Sequence, residues 1–230
     1  MLFRTILLIT IIASNTPMKS FKTFLIENQQ VKCDVDGICK VIKNYESAGN
    51  EQKILGVYKD SKGLPTIGHG HLIVKDSPKI MGKVITDPER VNKILAGQDK
   101  MKPEEADSLL RIDVEKRLPM VKRLAPDFDN YSPELQAELA SETFRGMTGK
   151  SPKALKLLNA GKFDDAAKEY LNAKEYRESV KNKTGIAKRM ENLTNAIKME
   201  GQRRAKTQAA SGQTTQAQTS SSTSQTAPSR

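Results

Sequence analysis

The chain has no tryptophan, two histidines and two cysteines among 230 residues, and aromatic side chains make up only 5% of it. Each shortage removes a class of function. Its basic residues are scattered along predicted helices, and stacking aromatics are few, so the usual platform for single-stranded nucleic acid is missing. No specific nucleic-acid partner is expected. Two cysteines cannot complete a tetrahedral zinc shell, and His69 and His71 have no third histidine to join them. Neither a metal nor a cofactor is expected.

Long apolar runs are also missing. The stretch from Thr5 to Ala13 has nine residues, too few for a bilayer span, which needs about 20. One basic residue precedes it and small or polar residues follow, which is the layout of a secretory signal. Residues 1–19 are therefore read as a signal peptide or N-terminal membrane signal making transient membrane contact, and the chain as exported to the periplasm or secreted. In an oxidising compartment Cys33 and Cys39 would pair, brought together by the Asp36-Gly37 turn. Two free thiols are the alternative.

Charge is abundant and unbalanced. Lys and Arg outnumber Asp and Glu by 38 to 27, a formal charge of +11. Such a field attracts polyanions, and an anionic cell envelope fits it. Hydrophobic residues at 37% are enough for an ordinary globular core. That core is assigned to residues 40–201, after a connector at 20–39 that holds both cysteines. Residues 202–230 form a Ser/Thr/Gln-rich tail with too little apolar surface to offset chain entropy, and are predicted disordered.

Within the body, VIKNYE places Val41, Ile42 and Tyr45 on one side of a helix, with Glu46 in its last turn before Gly49. From Ile54 to Val74, β-branched residues alternate around the turn at 60–63, and glycines stand at 56, 68 and 70. This predicts a small antiparallel sheet. Everything after it reads as helix. Asp87-Pro88, Ser132-Pro133 and Ser151-Pro152 each supply an N-cap residue followed by a proline suited to the first helical position. Leu109, Leu110, Val114, Leu118 and Val121 stripe one long helix, which Pro119 threatens to kink. The fold class is α+β, with a small antiparallel sheet lobe and a larger helical lobe.

Two carboxylates stand in contrasting settings. Glu46 meets the negative end of its helix dipole, which disfavours the charged form and suits a proton donor. Asp60 opens an exposed turn whose amides and water solvate the ionised form, which suits a base. Thr66, opening the next strand, offers a hydroxyl beside Asp60 that can hold a water. Taken alone, a helix-terminal Glu, a turn Asp and a strand Thr are commonplace.

Their combination is not. VIKNYE followed by GVYKDSKGLPTIGHGHL resembles the active-site signature of the phage lysozymes and endolysins, glycoside hydrolase family 24. In that family a helix ends in Glu and Y-x-D-x-x-G-x-x-T-I-G-x-G-H follows. Stretches 103–118, 139–170 and 184–193 are similar in the same order, so the resemblance covers most of residues 40–197. It implies a monomeric, lysozyme-like muramidase that cleaves peptidoglycan glycan strands between N-acetylmuramic acid and N-acetylglucosamine, with inversion and in a bacteriolytic role. It makes Glu46 the general acid, Asp60 the second carboxylate and Thr66 its partner on the water. Leu72, Phe144 and Arg145 fall at the substrate cleft, and His71 becomes structural, bonded to Asp113.

The chain also departs from the pattern. The family leaves eight residues between acid and aspartate. Here thirteen separate Glu46 from Asp60, while Glu51 has the family spacing and is the alternative acid. Arg145 replaces a common amide, and Tyr176 lies near a frequent tryptophan. A catalytically inactive wall-binding or virion-associated protein of the same fold is the alternative reading.

Overall fold

The computed structural model describes residues 34–46, 51–60, 62–146 and 150–219, with the backbone alone for Glu51 and 210–219. The expected N-terminal signal, Cys33 and the end of the tail lie outside the described residues.

Helix α1 (Val35–Glu46) begins earlier than position 40 because Asp34 caps it. Both the carboxylate and the carbonyl of Asp34 accept from the Gly37 N–H, at 2.8 and 3.1 Å, satisfying a donor that a helix start leaves open. Cys39 therefore lies inside the helix, and with Ile38 and Ile42 it forms the buried side. It is a free thiol, and burial pushes its pKa up to about 11.

A short helix, α2 (Glu51–Ile54), leads into an antiparallel sheet of β1 (Tyr58–Lys59), β2 (Pro65–Ile67) and β3 (His71–Leu72), in that order. Tyr58 pairs with Thr66, and Thr66 with Leu72. Residues directly opposite one another share a face, so the three side chains form a row.

The remaining elements are helical: α3 (Ser77–Met81), α4 (Pro88–Leu95), α5 (Pro103–Leu124), a 3-10 turn (Phe128–Asn130), α6 (Pro133–Phe144), α7 (Pro152–Asn159), α8 (Phe163–Leu171), α9 (Lys174–Asn182) and α10 (Gly185–Thr219). Asp87 and Ser132 accept from Glu89 N and Leu135 N at 2.9 and 3.3 Å, capping α4 and α6 ahead of their prolines. Helix α5 continues through Pro119 to Leu124.

Two apolar cores give the fold its lobes. Leu55, Ile67, Met81, Val91, Ile94 and Met101 fill the sheet lobe, and Ile42, Leu135, Leu139, Leu158, Met190 and Leu193 belong to the helical lobe. Helix α5 serves both, giving Ala106 and Leu109 to the first and Leu110, Val114 and Val121 to the second. The groove between the lobes is thus spanned by one continuous helix.

Helix α10 is anchored by Glu200, which is fully buried. Glu200 accepts from Arg203 and Arg204 at 2.6 Å and from Ser132 N at 3.1 Å. One residue on, Gly201 leaves room for α8, since a Cβ there would meet the Phe163 Cβ at 2.8 Å. The helix then runs past the expected end of the body at Gly201 and through Thr219, into the stretch read as disordered. Elongating a docked helix avoids the nucleation cost that an isolated segment faces.

Candidate active site

Where the lobes meet, a cleft of about 960 Å³ is lined by Glu46, Asp60, Thr66, Leu72, Phe144 and Arg145, among others. Residues from α1, the β1–β2 turn, β2, β3 and the end of α6 are thus brought to one opening. All six side chains singled out as catalytic or substrate-binding face it.

Glu46 is the last residue of α1. Its Oε1 accepts from both Nη atoms of Arg189, each at 3.0 Å. Arg189 comes from α10 and also lies over the Tyr45 ring, 4.4 Å from its centroid. Tyr45 is fixed in turn, donating to Glu138 at 2.9 Å and accepting from Asn192 at 2.6 Å. Burial raises the pKa of its phenol to about 12 and also raises that of Glu138. Tyr45 and Glu46, consecutive on α1, therefore hold one guanidinium between ring and carboxylate.

The other side of Glu46 meets Gly70. At φ +93, Gly70 adopts a backbone conformation open chiefly to glycine, and a Cβ there would lie 3.0 Å from Phe144 and 3.7 Å from the Glu46 carboxyl. The second glycine of the G-x-G stretch thus lets the acid and the aromatic close in on the sheet.

Asp60 stands in a tight turn. Its Oδ1 accepts from the amides of Lys62 and Leu64, both at 2.8 Å, and its own amide donates to Leu64 O at 2.9 Å. Thr66 is buried, and its hydroxyl donates to Leu64 O at 3.1 Å. The hydroxyl proton is therefore used, which leaves the oxygen as an acceptor.

Beneath the sheet His71 and Asp113 meet, with Nδ1 of His71 2.7 Å from Asp113 Oδ2 and Nε2 3.0 Å from Ser77 Oγ. A carboxylate accepts, so Nδ1 is the donor to Asp113. Since Asp113 belongs to α5, the pair ties β3 to the inter-lobe helix.

A profile of the phage lysozyme family matches residues 48–193. The chain belongs to the phage lysozyme family. No curated protein matches it. Members of the family hydrolyse peptidoglycan, which makes peptidoglycan this lysozyme's substrate class. The profile match opens two residues after Glu46, so the placement of Glu46 rests on geometry.

Further side chains at or near the cleft take positions that the sequence does not disclose. Arg189 lies in the TGIAKRMENL stretch, but nothing local marks it as the partner of Glu46. Tyr58 lines the cleft and donates to Gly68 O at 3.1 Å. His69, set aside as a possible metal ligand, is buried, with Nε2 2.9 Å from Asp107 Oδ1. Asp107 also accepts from Lys43 at 2.7 Å.

Burial lowers the pKa of His69 below 6.5, against the opposing pull of Asp107. Burial raises Glu200 and Glu105, yet their hydrogen bonds and arginine partners outweigh it and hold both below 4.5. In both cases the unfolded chain takes up protons first as pH falls, so stability is lost on acidification. The melting temperature of this lysozyme is expected to fall in two stages, one beginning near pH 6.5 and one near pH 4.5. Thermal melts between pH 8 and pH 3 should show His69→Ile lacking the first stage and keeping the second. A first stage of unchanged size in that variant would refute the assignment.

Proposed function

We propose that this chain is an exported, bacteriolytic muramidase that hydrolyses the β-1,4 bond from N-acetylmuramic acid to N-acetylglucosamine with inversion at the anomeric carbon. The observation that carries it is the opening of Glu46, Asp60 and Thr66 onto one inter-lobe cleft. Oε1 of Glu46 accepts from Arg189, which leaves Oε2 to hand a proton to the leaving glycosidic oxygen. Asp60 is the base. Two backbone amides hold its Oδ1, and a water is oriented between its carboxylate and the acceptor lone pairs of Thr66. Asp60 removes a proton from that water as it attacks the face opposite the leaving group, the geometry of inverting glycosidases. Leu72 and Phe144 give the sugar an apolar wall. The apolar run from Thr5 to Ala13 supports export.

Products distinguish the reaction. Peptidoglycan digested with the purified chain and then reduced with borohydride is expected to yield muramitol at the new ends. NMR during the first minutes should show the α-anomer of N-acetylmuramic acid ahead of the β-anomer. Glucosaminitol ends would refute the bond assignment, and a β-anomer appearing first would refute inversion.

A catalytically idle wall-binding protein is favoured by one observation, the thirteen residues between Glu46 and Asp60. Co-sedimentation with peptidoglycan without release of any reducing end would establish that reading.

A further inference from the structure

Three arginines line the cleft: Arg117, Arg145 and Arg189. Arg189 is occupied by Glu46. Arg145 is occupied by Glu142 at 3.2 Å and Glu175 at 3.3 Å. Arg117, on the inter-lobe helix α5, is different. Its guanidinium carbon lies 4.5 Å from the centroid of the Phe144 ring. Its ion pair among the described residues is with Asp113 at 3.8 Å, beyond hydrogen-bond length, and Asp113 already gives its other oxygen to His71. Among the described residues no hydrogen bond engages the Arg117 side chain, which is 32% exposed.

An arginine held by stacking keeps the edge of its fork free for a planar anion, and two parallel N–H donors match a carboxylate. The surroundings favour such a ligand. Of the charged side chains lining the cleft, eight are basic and four acidic. Leu72, 38% exposed on β3, borders the cleft and also a neighbouring groove shared with Arg117. An apolar wall for a sugar ring therefore stands beside unused cationic donors.

We infer that Arg117 is a substrate-binding residue that reads a carboxylate carried by the glycan strand next to the sugar seated on Leu72 and Phe144. This rests on the muramidase reading and narrows it to strands that bear carboxylates. The carboxylate has two sources with one chemistry, the stem peptide or the lactyl group of a peptide-free muramic acid.

The test uses the full chain with soluble glycan strands that carry their peptides, with strands stripped of peptide by an amidase, and with each after carbodiimide amidation of its carboxylates. For Arg117→Gln, the preference for unamidated over amidated strands, measured as a ratio of kcat/KM, is expected to fall about tenfold, the scale of one charge-assisted hydrogen-bonded contact. The fall should come through KM, and Arg117→Lys should restore part of it. A fall on peptide-bearing strands alone assigns the stem peptide, and a fall on stripped strands assigns the lactyl group. Equal losses on amidated and unamidated strands would overturn the inference. If the parent chain cleaves nothing, the muramidase reading fails instead. Co-sedimentation of parent and Arg117→Gln with native and amidated walls then reads carboxylate recognition by itself, and equal retention of the two proteins on native walls would overturn it.

Discussion

Glu46→Gln is expected to lower glycan cleavage by about 10²–10⁴-fold, the range for removing a positioned general acid, while Glu51→Gln changes it less than about threefold. The amide oxygen in the first variant still accepts from Arg189, so the hydrogen bonds and the shape of the site are kept and the fold should persist. Five residues more than the family spacing separate Glu46 from Asp60. Of the residues between them, Glu51–Ile54 form α2 ahead of the sheet. The end of that helix is pinned, because Ile54 O accepts from Gly68 N at 2.8 Å and Ile54 is buried. The longer connection therefore enters the sheet at a fixed point and leaves Glu46 beside Gly70 in the cleft. Release of reducing ends, measured with circular dichroism melts as a folding control, decides between the two glutamates. Full activity in Glu46→Gln together with a large loss in Glu51→Gln would transfer the acid to Glu51.

What the sequence discloses about this site depends on how local the determinant is. The spacing from Tyr58 to His71 encodes a turn and three short strands that fold on themselves, so the row of Tyr58, Thr66 and Leu72 follows from neighbours in the chain. The N-terminal caps at Asp87 and Ser132 are equally local. Arg189 is not, for it reaches Glu46 across 143 positions, and a long-range ion pair leaves no periodic trace. Arg117 was hidden for another reason. On α5 it reads as one more solvated charge in EKRLP, and only the approach of Phe144 from α6 reveals the stacked pair. The start of α1 at Val35 is not legible because Asp36-Gly37 signals a turn, whereas the Asp34 cap turns the same residues into the first turn of a helix.

Arg145→Ala is expected to destabilise the protein by about 3–5 kcal/mol, the cost of breaking a buried ion pair by removing one partner. Glu142 is 1% exposed, with Oε2 accepting from the Tyr170 hydroxyl at 2.6 Å and from Arg145 at 3.2 Å. Burial and the adjacent Glu142 push the Tyr170 phenol far above its usual pKa, so it stays a donor. Without Arg145 the carboxylate keeps one neutral partner inside the helical lobe, and against a total stability of about 5–15 kcal/mol the loss is large. The network is also incomplete, since Glu142 Oε1 and Arg145 Nε have no hydrogen-bond partner among the described residues. An apolar replacement should then hold the lobe as well as the ions do, as buried pairs often allow. The triple variant Glu142→Leu, Arg145→Met, Tyr170→Phe is therefore expected to unfold in urea within about 1 kcal/mol of the parent. Such an outcome means that Glu142 and Tyr170 serve to hold a guanidinium against the cleft wall, and a triple variant as unstable as Arg145→Ala would mean that the ions hold the lobe together.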